Sequence, residues 1–117
     1  PAAFVRRCLV LHLHLPDDDP AYKDKEEQAV AQAVVKWLMQ RGLDHFAGLA
    51  ATVRQAAAEQ LWRDRVEARK QGLTPPGQAE YLDLLRALSE LAADAEAQLA
   101  LLSEIQDFAL KKYVGLF

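Results

Sequence analysis

Hydrophobic and polar residues alternate at the start of the chain, in the segment PAAFVRRCLVLHLHLP at residues 1–16. A period of two predicts a β-strand, and Pro16 ends it because proline cannot donate to the hydrogen-bond ladder. A lone strand leaves its backbone N–H and C=O groups without partners. The segment therefore either belongs to a sheet outside this chain, pairs with a second copy, or does not form a strand here. One side of the alternation consists of Leu9, Leu11, Leu13 and Leu15.

The rest of the chain has helical spacing and predicts an all-α bundle of four to five helices after that one strand. The first helix is predicted from Pro20, capped by Asp19, to about Arg41, with Gly42 as its C-terminal stop. The second begins at Asp44 and ends near Lys70. The residues predicted to face inward are Val30, Val34, Trp37 and Leu38 on the first helix, and Phe46, Leu49, Val53, Ala57, Leu61 and Val66 on the second.

The segment GLTPPG at residues 72–77 ends the second helix. A third helix follows, with Gly77 at its cap and Glu80 reaching back to the free backbone N–H groups. A weaker break at residues 93–96 separates it from a fourth helix, predicted at residues 97–113. The residues expected to face inward are Leu82, Leu85, Leu88 or Ser89, Ala92, Leu101, Leu102, Ile105, Phe108 and Ala109.

Length and composition limit the classes of protein to consider. The 117 residues fit one modest core, and the formal net charge of −3 gives no general attraction to nucleic acid or to anionic membranes. No apolar run is long enough to cross a bilayer. A single cysteine, Cys8, excludes an internal disulfide and is compatible with a reducing compartment. We expect a cytoplasmic protein that binds neither nucleic acid nor membranes.

Two charged segments each have a structural and a functional interpretation. The three acids at residues 17–19 could bind Mg²⁺ or Ca²⁺, but consecutive carboxylates cannot all converge on one ion, and helix capping is favoured. The basic segment WRDR at residues 62–65, with Arg69 and Lys70, could bind phosphate or nucleic acid. Acidic residues are interspersed at helical pair distances, so a solvated helix face is favoured.

The predicted strand also carries candidate metal ligands. Cys8, His12 and His14 fall on one side of it, and three such ligands could hold zinc. A structural zinc site usually needs a fourth ligand, so packed histidines are favoured. No base is positioned to make Cys8 a nucleophile. His45 is expected on the surface, and no phosphate-binding glycine loop or HExxH motif is present.

Three segments resemble a known family. PAAFVRRCLVLHLHLP resembles the end of the ATPase core in MoxR-type AAA+ proteins, where a "pAFlRRc" segment precedes an alternating strand and a proline. TPPGQAEYLDLLRAL, residues 74–88, resembles the "kPPgtaElldwlraL" segment of the helical lid, and ALKKY at residues 109–113 resembles the "lvKy" ending. The resemblance implies that residues 1–16 are the last core strand and residues 17–117 the C-terminal lid.

The resemblance also implies a mechanism. ATP and Mg²⁺ would bind to a longer parent protein whose Walker A and Walker B segments precede Pro1, and no cofactor is expected for these residues alone. Arg7, or its neighbour Arg6, occupies the arginine-finger position and would act on ATP in a neighbouring subunit of a ring. The family often carries a sensor arginine at the start of the lid helix after the proline. Here that place holds Gly77 and Gln78, and Arg86 is the substitute.

A different class of protein remains open. The chain could be a non-enzymatic helical interaction or dimerisation module that pairs its strands across a two-fold axis. An uncovered row of leucines also predicts self-association through the N-terminal strand, because an exposed hydrophobic edge recruits partners. Residues upstream of Pro1 distinguish the two hypotheses: a Walker A motif there indicates the ATPase. Neither hypothesis predicts that these 117 residues alone hydrolyse ATP.

Overall fold

Four α-helices follow two short 3₁₀ turns in the computed structural model, which describes the backbone of residues 14–116 and the side chains of residues 14–106. The turns are Pro16–Asp18 and Pro20–Tyr22. The helices are α1 (Glu27–His45), α2 (Ala51–Lys70), α3 (Gln78–Leu91) and α4 (Ala95–Leu116). The prediction of an all-α fold is therefore confirmed for the described residues, none of which forms a strand.

The predicted N-terminal strand lies mostly outside the described residues. Of its residues only His14 and Leu15 are described, and both lie in irregular backbone before the first 3₁₀ turn. Leu15 is nonetheless buried in the core. Its backbone N–H donates to Asp18 Oδ2 at 2.8 Å, and Asp18 N–H donates to the Leu15 carbonyl at 2.9 Å. These two bonds fix the start of the described chain as a tight turn.

Helix α1 begins later and ends later than its pattern predicts. Asp19 does accept a hydrogen bond from the backbone N–H of Ala21, at 2.9 Å, but the turn that it caps ends at Tyr22. The next four residues, KDKE, include no apolar side chain that the core could hold, and packing supplies most of a helix's stability. A helix therefore forms only from Glu27.

Gly42 and Asp44 do not have the roles predicted for them. Gly42 lies within α1, which continues to His45, and it is buried beneath α3. Asp44 lies in the same helix, where its carboxylate accepts a hydrogen bond from Gln40 Nε2 at 3.2 Å. Helix α2 starts instead after Ala50, without a side-chain cap.

The ends of the other helices follow the sequence more closely. Helix α2 ends at Lys70, and Gly72 adopts the left-handed φ of 71° that a glycine C-cap provides. Leu73 N–H then donates to the Ala68 carbonyl, at 2.8 Å. Gly77 caps α3, and its N–H donates to Glu80 Oε2 at 2.8 Å, as predicted. Asp94 begins α4 by accepting from Ala97 N–H.

The core lies between α1, α2 and α3, and α4 packs on α2 and α3. Ten of the predicted inward-facing residues are buried, and the others with described side chains are only partly buried: Trp37, Phe46, Val66, Leu82, Ala92, Leu101 and Ile105. Phe108 and Ala109 lie beyond the described side chains. The buried core comprises Leu15, Val30, Val34, Leu38, Leu49, Val53, Ala57, Ala58, Leu61, Tyr81, Leu85, Leu88 and Leu102.

Candidate functional site

A buried arginine joins three separate parts of the chain. Arg65 lies on α2, and its side chain is only 2% exposed. Nε donates to Asp17 Oδ2 at 3.1 Å and Nη2 donates to Asp17 Oδ1 at 2.8 Å, a bidentate arrangement that suits the planar guanidinium. Nη1 donates to the Pro76 carbonyl oxygen, at 2.6 Å. The first 3₁₀ turn, α2 and the loop before α3 therefore meet at one side chain.

A second arginine completes this ion-pair cluster, which consists of Asp17, Asp18, Arg65 and Arg69. Arg69 lies one helical turn after Arg65 and contacts both carboxylates. Its Nη2 donates to Asp18 Oδ1 at 2.7 Å, and Arg65 Nη2 lies 3.1 Å from the same oxygen. Two carboxylates face two guanidinium groups, so the cluster carries no net charge. That balance offsets the cost of burying the Asp17 carboxylate, since this side chain is also only 2% exposed.

The surroundings of Asp18 lower its pKa below the ordinary value of 3.8. Burial alone would raise this pKa. The hydrogen bond from Leu15 N–H and the charges of Arg65 and Arg69 together lower it by more than burial raises it. His14 contributes in the same direction, with Nδ1 at 3.9 Å from Asp18 Oδ2. The carboxylate is therefore held in its charged form.

The cluster corrects the interpretation of the basic segment at Arg65, and it adds an ion-pairing role for Asp17 and Asp18 to the capping predicted for residues 17–19. Arg65 is not on a solvated face, and its hydrogen-bonding capacity is used within the chain rather than offered to phosphate. Asp17 and Asp18 are neutralised by arginines, and Asp19 caps the second turn. In the part of the chain that the structure describes, no group of three or more His, Cys, Asp or Glu side chains could hold a metal ion. Cys8 and His12 lie outside that part.

The predicted site arginines are placed only in part. Arg6 and Arg7 lie outside the described residues, so the arginine-finger prediction stays untested. Arg86 lies on α3, where its side chain is 60% exposed and its Nη1 is 3.6 Å from Asp83 Oδ1. It is not part of the ion-pair cluster, and it remains accessible to a ligand.

One buried tyrosine positions the segment that contains Arg86. Tyr81 lies on α3 beneath α1, and its hydroxyl donates to the Arg54 carbonyl of α2, at 3.0 Å. A Cβ added to Gly42 would lie 2.7 Å from Tyr81 Oη and 3.0 Å from Leu85 Cδ1. Burial raises the Tyr81 pKa to about 12, with the positive charge of Arg54 opposing the shift. The missing side chain at Gly42 is thus what lets α3 approach α1.

Comparisons with models of known protein families, with curated proteins and with solved structures found no match. Among the described residues, no helix is both long enough and apolar enough to cross a membrane.

Proposed function

We propose that this chain is the C-terminal part of a MoxR-type AAA+ ATPase. In this proposal residues 1–16 are the last strand of the ATPase core and residues 17–117 are the helical lid. The lid contributes to closure around the nucleotide and to subunit contacts. Hydrolysis of ATP with Mg²⁺ belongs to the longer parent protein, which carries the Walker A and Walker B segments and assembles as a ring in the cytoplasm.

The observation that carries this proposal is that the described end of the first resembling segment lies beside the second one in the fold. The first segment ends at Pro16, and the second contains the Pro76–Gly77 pair some sixty residues later. Arg65 bridges Asp17 and the Pro76 carbonyl, and Leu15 Cδ1 lies 3.8 Å from a Cβ placed on Gly77. Two short motifs that lie side by side in the fold support one family more strongly than the same two motifs would if they were far apart.

The all-helical fold of residues 27–116 also agrees with the expectation for a lid. The ion-pair cluster also attaches the start of the lid firmly to its helices, as a lid that moves as one unit requires. Because Asp17 and Asp18 are bound to α2, the residues that follow the core strand belong to the helical unit rather than to a loose linker. A movement of the helices would then be transmitted to the chain that leads back to Arg7.

The roles of the arginines follow from this assignment. Arg7, or Arg6 beside it, would neutralise charge on the transferring phosphoryl group in the neighbouring subunit. The sensor position is occupied by Gly77 and Gln78, neither of which carries a charge. Arg86 is the arginine nearest to that position along α3, and its exposure leaves its guanidinium accessible to phosphate.

The test is the ATPase activity of the parent protein. Extending the reading frame upstream of Pro1 should reveal a Walker A motif. In the purified parent, Arg7→Ala should still bind ATP with Mg²⁺, whereas hydrolysis should fall on the order of a thousandfold or more. Arg6→Ala is the matched control, and a reversal of the two effects would assign the finger to Arg6. A parent without a Walker A motif or nucleotide binding contradicts the proposal.

The alternative, a non-enzymatic interaction module, is favoured by one observation. An open groove lined partly by apolar side chains runs between α1 and α2, and none of its lining residues belongs to the ion-pair cluster. Self-association through Leu9, Leu11 and Leu13 is a separate proposal within this alternative, and the fourth leucine of the predicted row, Leu15, is instead buried in the core of its own chain. A parent with no nucleotide binding would favour the module over the ATPase.

A further inference from the structure

A groove of about 710 Å³ lies where α1 packs on α2. Its apolar side chains come from a second stripe on α1, distinct from the core stripe of Val30, Val34 and Leu38, and from Trp62 on α2. Leu43, at one end of this stripe, is 42% exposed. Val35, Met39 and Trp62 pack against the core on one side and are only partly buried, so the stripe leaves apolar surface open to a partner. The apolar residues of the α1–α2 groove are Val35, Met39, Leu43 and Trp62.

The groove is also positively charged. Three cationic side chains, Lys36, Arg54 and Arg63, line it together with one carboxylate, Glu59. Among residues 14–106, none of the three cations forms an ion pair. The chain as a whole has a net charge of −3, so this positive surface is a local feature. It suits an apolar group that is flanked by negative charges.

Such a group lies on the opposite half of the same chain. Leu91, at the end of α3, is 72% exposed, the largest exposure among the large apolar side chains of the described residues. Glu90 and Asp94 lie on either side of it, and both are exposed. The α3–α4 turn, residues 90–94, therefore presents a leucine between carboxylates. Residues 78–106 are acidic overall, with one basic side chain, Arg86, against Glu80, Asp83, Glu90, Asp94, Glu96 and Glu104.

We infer that the α1–α2 groove binds the α3–α4 turn of a second copy of this chain. Leu91 of one copy occupies the apolar floor between Met39 and Trp62 of the other. The carboxylates of Glu90 and Asp94 then face the unpaired cations at the rim. Because the groove and the turn are different surfaces of one chain, the contact is head to tail, and repetition produces a ring or an open filament.

The size of the contact sets the expected strength. One leucine and two carboxylates bury far less than the roughly 800 Å² per partner of a stable interface, so the association is weak for separate chains. Because exposed charges contribute, association should weaken as ionic strength rises. Where copies are held together by other contacts, the high effective concentration makes the same weak contact significant.

Sedimentation equilibrium of the 117-residue chain tests the inference. The wild-type chain should associate as its concentration rises, and less so in high salt. Leu91→Ser alters the turn, and the double variant Lys36→Glu, Arg63→Glu alters the groove; each should abolish association. The matched controls are Leu73→Ser, which removes another exposed leucine, and Lys23→Glu with Lys25→Glu, which changes the charge by the same amount. Both controls should associate as the wild type does.

A mixture of the two variants provides the sharper test. The turn variant keeps an intact groove and the groove variant keeps an intact turn, so an equimolar mixture should form a 1:1 dimer and nothing larger. Circular dichroism first establishes that each variant folds. Leu43→Ser is a second groove variant, and it alters a side chain that is already exposed.

Three results would overturn the inference. A wild-type chain that stays monomeric at every concentration is one, and a mixture that fails to dimerise is another. The third is undiminished association of both variants, which would assign the contact to another surface such as residues 9–15. None of these measurements involves nucleotide, so the inference and the proposed ATPase assignment succeed or fail independently.

Discussion

Arg65 and Asp17 form a bidentate ion pair across 48 residues of sequence, and the side chain of each is only 2% exposed. The pair fastens the segment before α1 to the second half of α2. Because Arg65 also donates to the Pro76 carbonyl, the same contact fixes the loop that leads into α3. One guanidinium on α2 therefore binds both the first 3₁₀ turn and the loop before α3, and Arg69 joins that turn to α2 a second time.

Removing one partner of this pair should strongly destabilise the fold. Arg65→Met leaves the buried Asp17 carboxylate with Arg69 as its remaining cation, and breaking a buried pair costs at most about 3–5 kcal/mol. The free energy of unfolding in urea measures the loss. Arg63→Met is the matched control, since Arg63 is exposed two residues earlier on α2, and it should change the stability by no more than about 0.5 kcal/mol.

A double-mutant cycle separates the pair itself from the packing of its side chains. Asp17→Asn combined with Arg65→Met should be less destabilised than the sum of the two single variants, by about 0.5–3 kcal/mol. Arg69 and Asp18 still pair with each other in the double variant. Simple additivity of the two single effects would mean that the side chains are not coupled.

Acid should weaken the ion-pair cluster through Asp18. Its pKa lies below the ordinary 3.8 in the folded chain, so its contribution is present above that pH and is lost as the pH falls through the folded pKa. The wild type should therefore lose more stability than Asp18→Asn between about pH 5 and about pH 2. Urea unfolding of both at several pH values measures this difference, and parallel curves would contradict it.

The sequence predicts the helices well because apolar periodicity reports burial directly. Val30, Val34 and Leu38 recur at intervals of four, and all three are buried. The capping residues of α3 are also predictable, because Gly77 and Glu80 interact within one turn of chain. Local rules of this kind require no knowledge of the tertiary contacts.

The ion-pair cluster was missed, although a signal for it exists. Val53, Ala57 and Leu61 continue at the same interval to Arg65, so the buried stripe of α2 includes a charge. A charge at a core position requires a buried partner of opposite sign, and the run at residues 17–19 supplies it. What periodicity cannot supply is the fold that brings two segments so distant in sequence together.

Gly42 is a second position whose structural role the sequence pattern does not predict. A glycine near the end of a helical pattern predicts a stop, yet this one is a site of close helix approach. Gly42→Ala should destabilise the chain by about 1–3 kcal/mol despite alanine's better helix propensity, because its Cβ would contact Tyr81 Oη and Leu85 Cδ1. Gly48→Ala is the control: its Cβ would meet nothing within 4 Å. Thermal unfolding of both variants compares them, and equal melting temperatures would be inconsistent with close packing at Gly42.

Tyr81, on the other side of that contact, should make stability depend on alkaline pH. Burial raises its pKa from 10.0 to about 12, so its contribution is complete below pH 10.0 and is lost as the pH rises to about 12. Absorbance of the phenolate, recorded for the wild type and for Tyr81→Phe, isolates this group as the difference between the two titrations. That difference should appear near pH 12 in the folded chain and near pH 10.0 in urea. A difference already complete near pH 10.0 without urea would place the Tyr81 hydroxyl in solvent rather than on the Arg54 carbonyl.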